Sequence, residues 1–264
     1  MSNQNVISIK AMGLAKDNSL HITNSTDDIY LIDDNITINV DEFVKASFID
    51  ITRNNDVCVT IGNSSNVNYI ILDGSNSNRK FKVNGEIQIT EIALEQTNES
   101  LEIDLNEENA NAIVKCLVIS SNMRNTFKQY ISHNAKMTTS NITNVGVAMN
   151  KASISFDTTG KINKGNSSSK CQQVSRGIVM DDNSEVTAKP ILLIDEYDCF
   201  ANHGAAIGKM SDEDLFYLMS RGLCKKEAFL LILQGMIGPF IEAIKVDEWK
   251  EKIQSEVLNL IESD

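Results

Sequence analysis

Proline is nearly absent, two residues in 264, so little interrupts the backbone hydrogen bonding that stacked strands require. Cysteine is sparse too. Its five residues, Cys58, Cys116, Cys171, Cys199 and Cys224, are odd in number, widely spaced and free of any C-x-x-C, which speaks against a disulfide framework or a zinc knuckle. Free thiols in a reducing compartment are the expectation. No long apolar run is present: the most apolar stretch, 228–244, is broken by Gln234, Gly235, Gly238, Pro239 and Glu242, and reads as buried helix rather than a membrane span. The first twenty residues lack the apolar core of a signal peptide, so a cytoplasmic location is expected. Basic charge is in deficit. A net charge of −12 opposes the counterion release on which nucleic-acid binding depends and opposes attraction to anionic lipid, so neither nucleic acid nor membrane is the expected partner. There is no G-x-x-x-x-G-K-[ST] for nucleotide hydrolysis and no carboxylate pair suggesting a carbohydrate-active β-helix enzyme. The chain is not expected to be an enzyme.

What is present is a series of short β-branched runs. Ile36–Val40, Val57–Ile61 and Ile87–Ile92 alternate apolar and polar residues, and Asn, Ser, Asp and Gly separate such runs from about residue 35 to 207. The pattern is all-β, and short strands with frequent turns suit a sandwich and a parallel β-helix equally; no crisp repeat period decides between them. The character changes at Ser211. Followed by Asp212, Glu213 and Asp214, it predicts a helix N-cap with acids at the positive end of the dipole and an apolar face of Leu215, Phe216, Leu218 and Met219, ended by Gly222. A second helix from about Lys225 runs into Gly235 and Gly238-Pro239, where a bend is expected. A third carries Trp249, Ile253, Val257 and Leu260 on one face. The expected organisation is an N-terminal segment 1–34, a β domain 35–210 and a helical subdomain 211–264.

The run NHGAAIGKM at 202–210, joined to DLFYLMSRG at 214–222, strongly resembles the C-terminal signature of the SufB/SufD family of iron–sulfur cluster assembly scaffold proteins. Gln173 with Arg176-Gly177-Ile178-Val179-Met180, then Lys189-Pro190 and the apolar run to Ile194, is similar to that family's last strands, as is His133 with Ser140. The resemblance implies a mainly β fold: a right-handed parallel β-helix with a small C-terminal α-helical subdomain. It implies a SufC-like ABC ATPase as partner, docked on the helices, and pairing through the β-helices as a homodimer or with a SufB/SufD paralogue. A transient iron–sulfur cluster is the implied cargo, and the part played by flavin stays open. Gly204 stands where the SufB branch usually has glutamate, and Ser175 falls near that branch's cysteine, so the HGAxxG form looks SufD-like. The helical N-terminal region of longer members has no evident counterpart.

His203 is the first candidate ligand, since a neutral imidazole can hold iron and the resemblance places it at the assembly position. Cys199, four residues earlier, would share its face on a strand and so lie close enough in principle to share a metal, the alternative being a packed structural thiol. Cys171, beside Lys170, is the third candidate, a thiol whose neighbour would favour thiolate. Cys58 and Cys116 read as core, Cys224 as structural, and His133 as a surface or capping residue. Leu215, Phe216, Tyr217 and Arg221 form the expected ATPase-docking surface.

Overall fold

The computed structural model describes residues 5–9, 18–72 and 76–262. Among these, seventeen strands precede three helices. The odd-numbered strands, from β1 (Val6–Ser8) to β17 (Cys199–Gly208), form a nine-stranded sheet, and the even-numbered ones, from β2 (Ser19–Ile22) to β16 (Glu185–Ile194), an eight-stranded sheet. Every pairing is parallel. Each turn of chain therefore lays one strand on each of two facing sheets, which is a parallel β-helix. The β architecture begins earlier than the sequence pattern suggests, because β1, β2 and β3 (Ile29–Ile32) all fall inside the segment expected to stand apart at 1–34; the rest of that segment lies partly outside the described residues.

Coil length explains why no repeat is visible. Ala46, Val67, Ile87, Ala112, Ser140, Cys171 and Ala201 stack in one column of partners, at spacings of 21, 20, 25, 28, 31 and 30 residues. Period-two alternation survives within each strand while the longer period drifts. In β14 (Ser153–Ile162) every second residue is buried, and those residues point into the lumen between the sheets. The polar spacers do specific work at the corners: Asn54, Asn109, Asn122 and Asn150 take positive φ, a conformation asparagine tolerates. Asparagine side chains also hydrogen-bond from coil to coil, Asn98 to Asn76 to Asn54 and Asn163 to Asn134 to Asn106, at 2.9–3.2 Å.

Alternation also fixes the thiols. Val57, Val59 and Ile61 face the lumen, so Cys58 between them points outward and is exposed, contrary to the core position expected for it; Cys116 is buried as expected. The lower lumen is apolar and aromatic, with Tyr30, Phe48 and Tyr69 stacked 5.6–5.8 Å apart and Phe81 edge-on to Tyr69. One ionic cluster interrupts it. Arg79, fully buried, pairs with Asp50 and Glu99, each at 2.7 Å, and Tyr69 donates to Asp50 at 2.6 Å.

The three helices close the chain. In α1 (Asp212–Ser220) the Ser211 hydroxyl accepts from the Asp214 amide, and Gly222 at φ +100 turns the chain away, both as the sequence predicts. The expected bend at Gly238-Pro239 does not break α2 (Lys225–Ile241), which runs through both residues. Burial accounts for this: Leu233, Ile237, Phe240 and Ile241 lie on either side of Pro239 and share one apolar cluster with Leu117, Ile119, Val145, Val147 and Met149, outward residues of the nine-stranded sheet. With Ile253 and Val257 of α3 (Asp247–Glu262), they cover the outer face of that sheet. No described helix is long and apolar enough to cross a membrane.

Candidate functional site at the open end of the β-helix

The last coil, β16 and β17, has a neighbouring strand on one side only. Both strands end their sheets, and both are ten residues long. An uncovered edge of that length offers a row of free amides and carbonyls, and natural proteins normally blunt such edges or pair them. Here the side chains around it are apolar and exposed: Ile191, Leu193, Tyr197, Phe200 and Ile207.

Just beneath this edge the lumen turns polar. In β15 (Ser169–Val179) the inward positions are Ser169, Cys171, Gln173 and Ser175, and parallel register sets Cys171 opposite Ala201 and Gln173 opposite His203. Because paired residues share a face, Cys199, Ala201 and His203 form the last layer of the lumen. Strand geometry separates Cys199 from His203 by about 13 Å, too far for one ion, so the two do not share a metal as the sequence suggested. Cys171 lies diagonal to each, about 8 Å away between Cα atoms, beyond the range of a disulfide without backbone movement. Among the described residues no three His, Cys, Asp or Glu side chains converge to hold a metal ion.

The thiols are not predisposed to ionise. Burial pushes the Cys171 thiol up, with its side-chain contact to Ser140 partly offsetting this, and Lys170 points to the exposed side; the lysine-favoured thiolate read from the sequence is thereby corrected. Burial raises Cys199 as well, helped by Glu196 and Asp198, and its Sγ lies 3.2 Å from the Glu196 carbonyl. Iron would have to displace the proton it replaces.

His133, at the end of β12 (Arg124–His133), reads from the sequence as a surface or capping residue; it is fully buried. Its Nδ1 lies 2.7 Å from the Thr138 hydroxyl and its Nε2 2.9 Å from the Ser140 hydroxyl. Thr138 donates onward to the Ala135 carbonyl, which leaves its oxygen to accept from Nδ1–H and leaves Nε2 to accept from Ser140. Burial lowers the His133 pKa to about 4, against a smaller opposing effect of hydrogen bonding at the Thr138 backbone. With both nitrogens engaged, His133 is a structural partner of Ser140, the residue that in turn touches Cys171. Ser175 stands in a closed polar net: Asn144 donates to the Ser175 hydroxyl at 3.4 Å, and Gln129 and Asn144 exchange hydrogen bonds at 3.0 Å beside Thr158.

Sequence reasoning missed Gly160. A Cβ there would collide with the Cys171 Sγ and sit 2.9 Å from Gln173 Nε2, so a bare α-carbon makes room for both side chains across the lumen. On the helical side, Phe216, Tyr217 and Arg221 are exposed, the guanidinium 5.4 Å from the Tyr217 ring centre. Leu215 is buried and anchors α1, which removes it from the exposed face.

Fold and site together define a parallel β-helix scaffold with thiol and imidazole groups at an uncovered terminal coil and a helical tail packed along one sheet. The family described as SUF system FeS cluster assembly, SufBD core domain, matches residues 22–236. The chain belongs to that family. Among curated proteins it is 36% identical over 129 residues to the iron–sulfur cluster assembly protein SufD of Bacillus subtilis, covering 49% of this chain and 30% of that one. It is 31% identical over 115 residues to a SufBD family iron–sulfur cluster assembly protein of Mycobacterium leprae, covering 44% of this chain and 13% of the relative. A Mycobacterium tuberculosis protein of the same family is 33% identical over 91 residues, 34% of this chain and 23% of the relative. The matched segments thus span less than a third of these relatives' lengths.

Proposed function

We propose that this chain is a scaffold subunit on which an iron–sulfur cluster is assembled as cargo, at a face completed by a second SufBD-family chain docked on the terminal coil. The observation that carries this reading is the coincidence of an unpaired ten-residue edge, an exposed apolar rim and the groups Cys171, Cys199 and His203 in one place. Cys171 with either Cys199 or His203 supplies two diagonal donors, which complete no coordination shell alone, so the missing ligands come from the chain across the interface. The exposed Phe216 and Tyr217 of the first helix, with Arg221 at its C-cap, form the docking surface for an ABC-type ATPase, with Leu215 fixing that helix to the body. The chain catalyses no reaction itself; motion of the ATPase reaches the coil through the helices.

A second reading has one observation in its favour. Ser175, where the resemblance would place a thiol, is bound into the Asn144 net with its hydroxyl partnered, which suits a structural adaptor that pairs with a cluster-bearing paralogue and holds no metal. The test begins with association, measured by light scattering on the chain alone, with a second SufBD-family chain and with the ATPase. Ile191→Lys combined with Phe200→Lys is expected to abolish pairing at the coil while leaving the ATPase complex intact, and Phe216→Ala with Tyr217→Ala to do the reverse. Pairing unaffected by the edge substitutions contradicts the proposed face.

A further inference from the structure

One inward column of the nine-stranded sheet reads Tyr30, Phe48, Tyr69, Ile89, Val114, Ile142, Gln173, His203. Six apolar or aromatic residues give way to an amide and an imidazole in the last two positions. Gln173 is only 1% exposed. Its Nε2 donates to the Ile191 carbonyl at 3.3 Å, which fixes the sense of the amide, since only the nitrogen can face a carbonyl. Its Oε1 is left buried with no partner. An orphaned buried acceptor is costly and calls for a donor that completes it. The neighbour in register is His203, on the same face and one strand spacing away, within reach of a flexible side chain. Gly160 provides the space in which the Gln173 amide lies.

We propose that Gln173 is a positioning residue for His203: its Oε1 accepts one imidazole N–H, selects a single neutral tautomer and leaves the other ring nitrogen directed out of the end of the β-helix as a donor to iron. Histidines that hold metals commonly have their second nitrogen tied in this way, which fixes ring orientation and raises ligand basicity. The use of that nitrogen rests on the proposed cluster-assembly face; the tautomer does not, and so it is tested without iron.

The experiment is ¹⁵N NMR of the ring nitrogens of His203 in the intact, metal-free chain, at a pH well above the ordinary imidazole range. Wild type is expected to show one neutral tautomer favoured roughly five- to tenfold over the solution mixture, the effect of one hydrogen bond. Gln173→Leu is expected to return His203 to the solution mixture, and Gln173→Glu, which keeps an oxygen at the same place, to restore the preference. A solution-like mixture in wild type, or a preference unchanged in a folded Gln173→Leu protein, overturns the inference. A fixed tautomer in a chain that takes up no cluster leaves the inference standing and refutes the iron reading instead.

Discussion

Replacing Arg79 by leucine is expected to destabilise the protein by about 3–5 kcal/mol, the loss that follows when one member of a buried ion pair is removed and its partners stay behind. Arg79 and its two carboxylate partners are shielded from water, so nothing in the solvent compensates for the missing cation. Burial works against the Arg79 charge, but Glu99 and Asp50 outweigh it and hold the guanidinium charged well above its ordinary range. The arginine also donates to the Thr52 hydroxyl at 3.1 Å and the Thr52 carbonyl at 3.3 Å, tying two coils together. Glu91 completes the group. Burial, then the proximity of Glu99, raises its pKa well above the carboxylate range.

The sign of the pH effect follows. A carboxyl whose folded pKa is raised contributes stability that is complete below its unfolded pKa and lost as pH rises through the folded value. Glu91→Gln is therefore expected to flatten the decline of stability that starts as pH rises above the ordinary carboxyl value of 4.5 and runs to the raised folded one, while Arg79→Leu lowers the denaturation midpoint at every pH. Urea titrations of the three proteins across pH measure both effects. A loss below about 1 kcal/mol for Arg79→Leu, the range of an exposed pair, would show that the cluster is hydrated rather than buried.

The second large effect is acid destabilisation through His133. This histidine must stay neutral to keep Thr138 and Ser140 as they are, and its pKa is lowered to about 4 from an ordinary 6.5. A basic group with a depressed folded pKa contributes stability that is intact above the unfolded value and lost as pH falls toward the folded one. The window is pH 6.5 down to about 4, and the shift corresponds to about 3 kcal/mol across it. His133→Leu is expected to cost about 1–3 kcal/mol at neutral pH, because Ser140 loses its acceptor and Thr138 a donor. The same variant should lose less on acidification, so the gap between the two proteins narrows as pH drops through the window. Parallel acid limbs would place the acid sensitivity in other groups.

Much of the architecture was legible in residue alternation, and the phase of that alternation could have placed Cys58 as well. Val57, Val59 and Ile61 outrank a lone cysteine as lumen residues, which puts Cys58 on the opposite face. The solenoid itself was hidden because the coils lengthen along the chain, so column partners from Ala46 to Ala201 keep no constant spacing. The lumen charges were hidden for another reason. Arg79 lies between the polar residues Asn78 and Lys80, and Asp50 and Glu99 belong to other coils, so only the stacking reveals the pairing. His133 misled in the same way, its two hydroxyl partners lying beyond a turn and a coil corner. At the open end, the sequence named Cys171, Cys199 and His203 but not their spacing. A strand offset of four keeps two residues on one face while carrying them about 13 Å apart.

The most direct test of the central claim is anaerobic reconstitution of the paired chain with iron and sulfide, followed by visible absorption of wild type, Cys171→Ala, His203→Ala and the monomeric Ile191→Lys, Phe200→Lys variant. A cluster at a shared terminal coil predicts a band in wild type, a weaker one in each ligand variant and none in the monomer. An undiminished band in the monomer, or no band in a pair that forms normally, would contradict it.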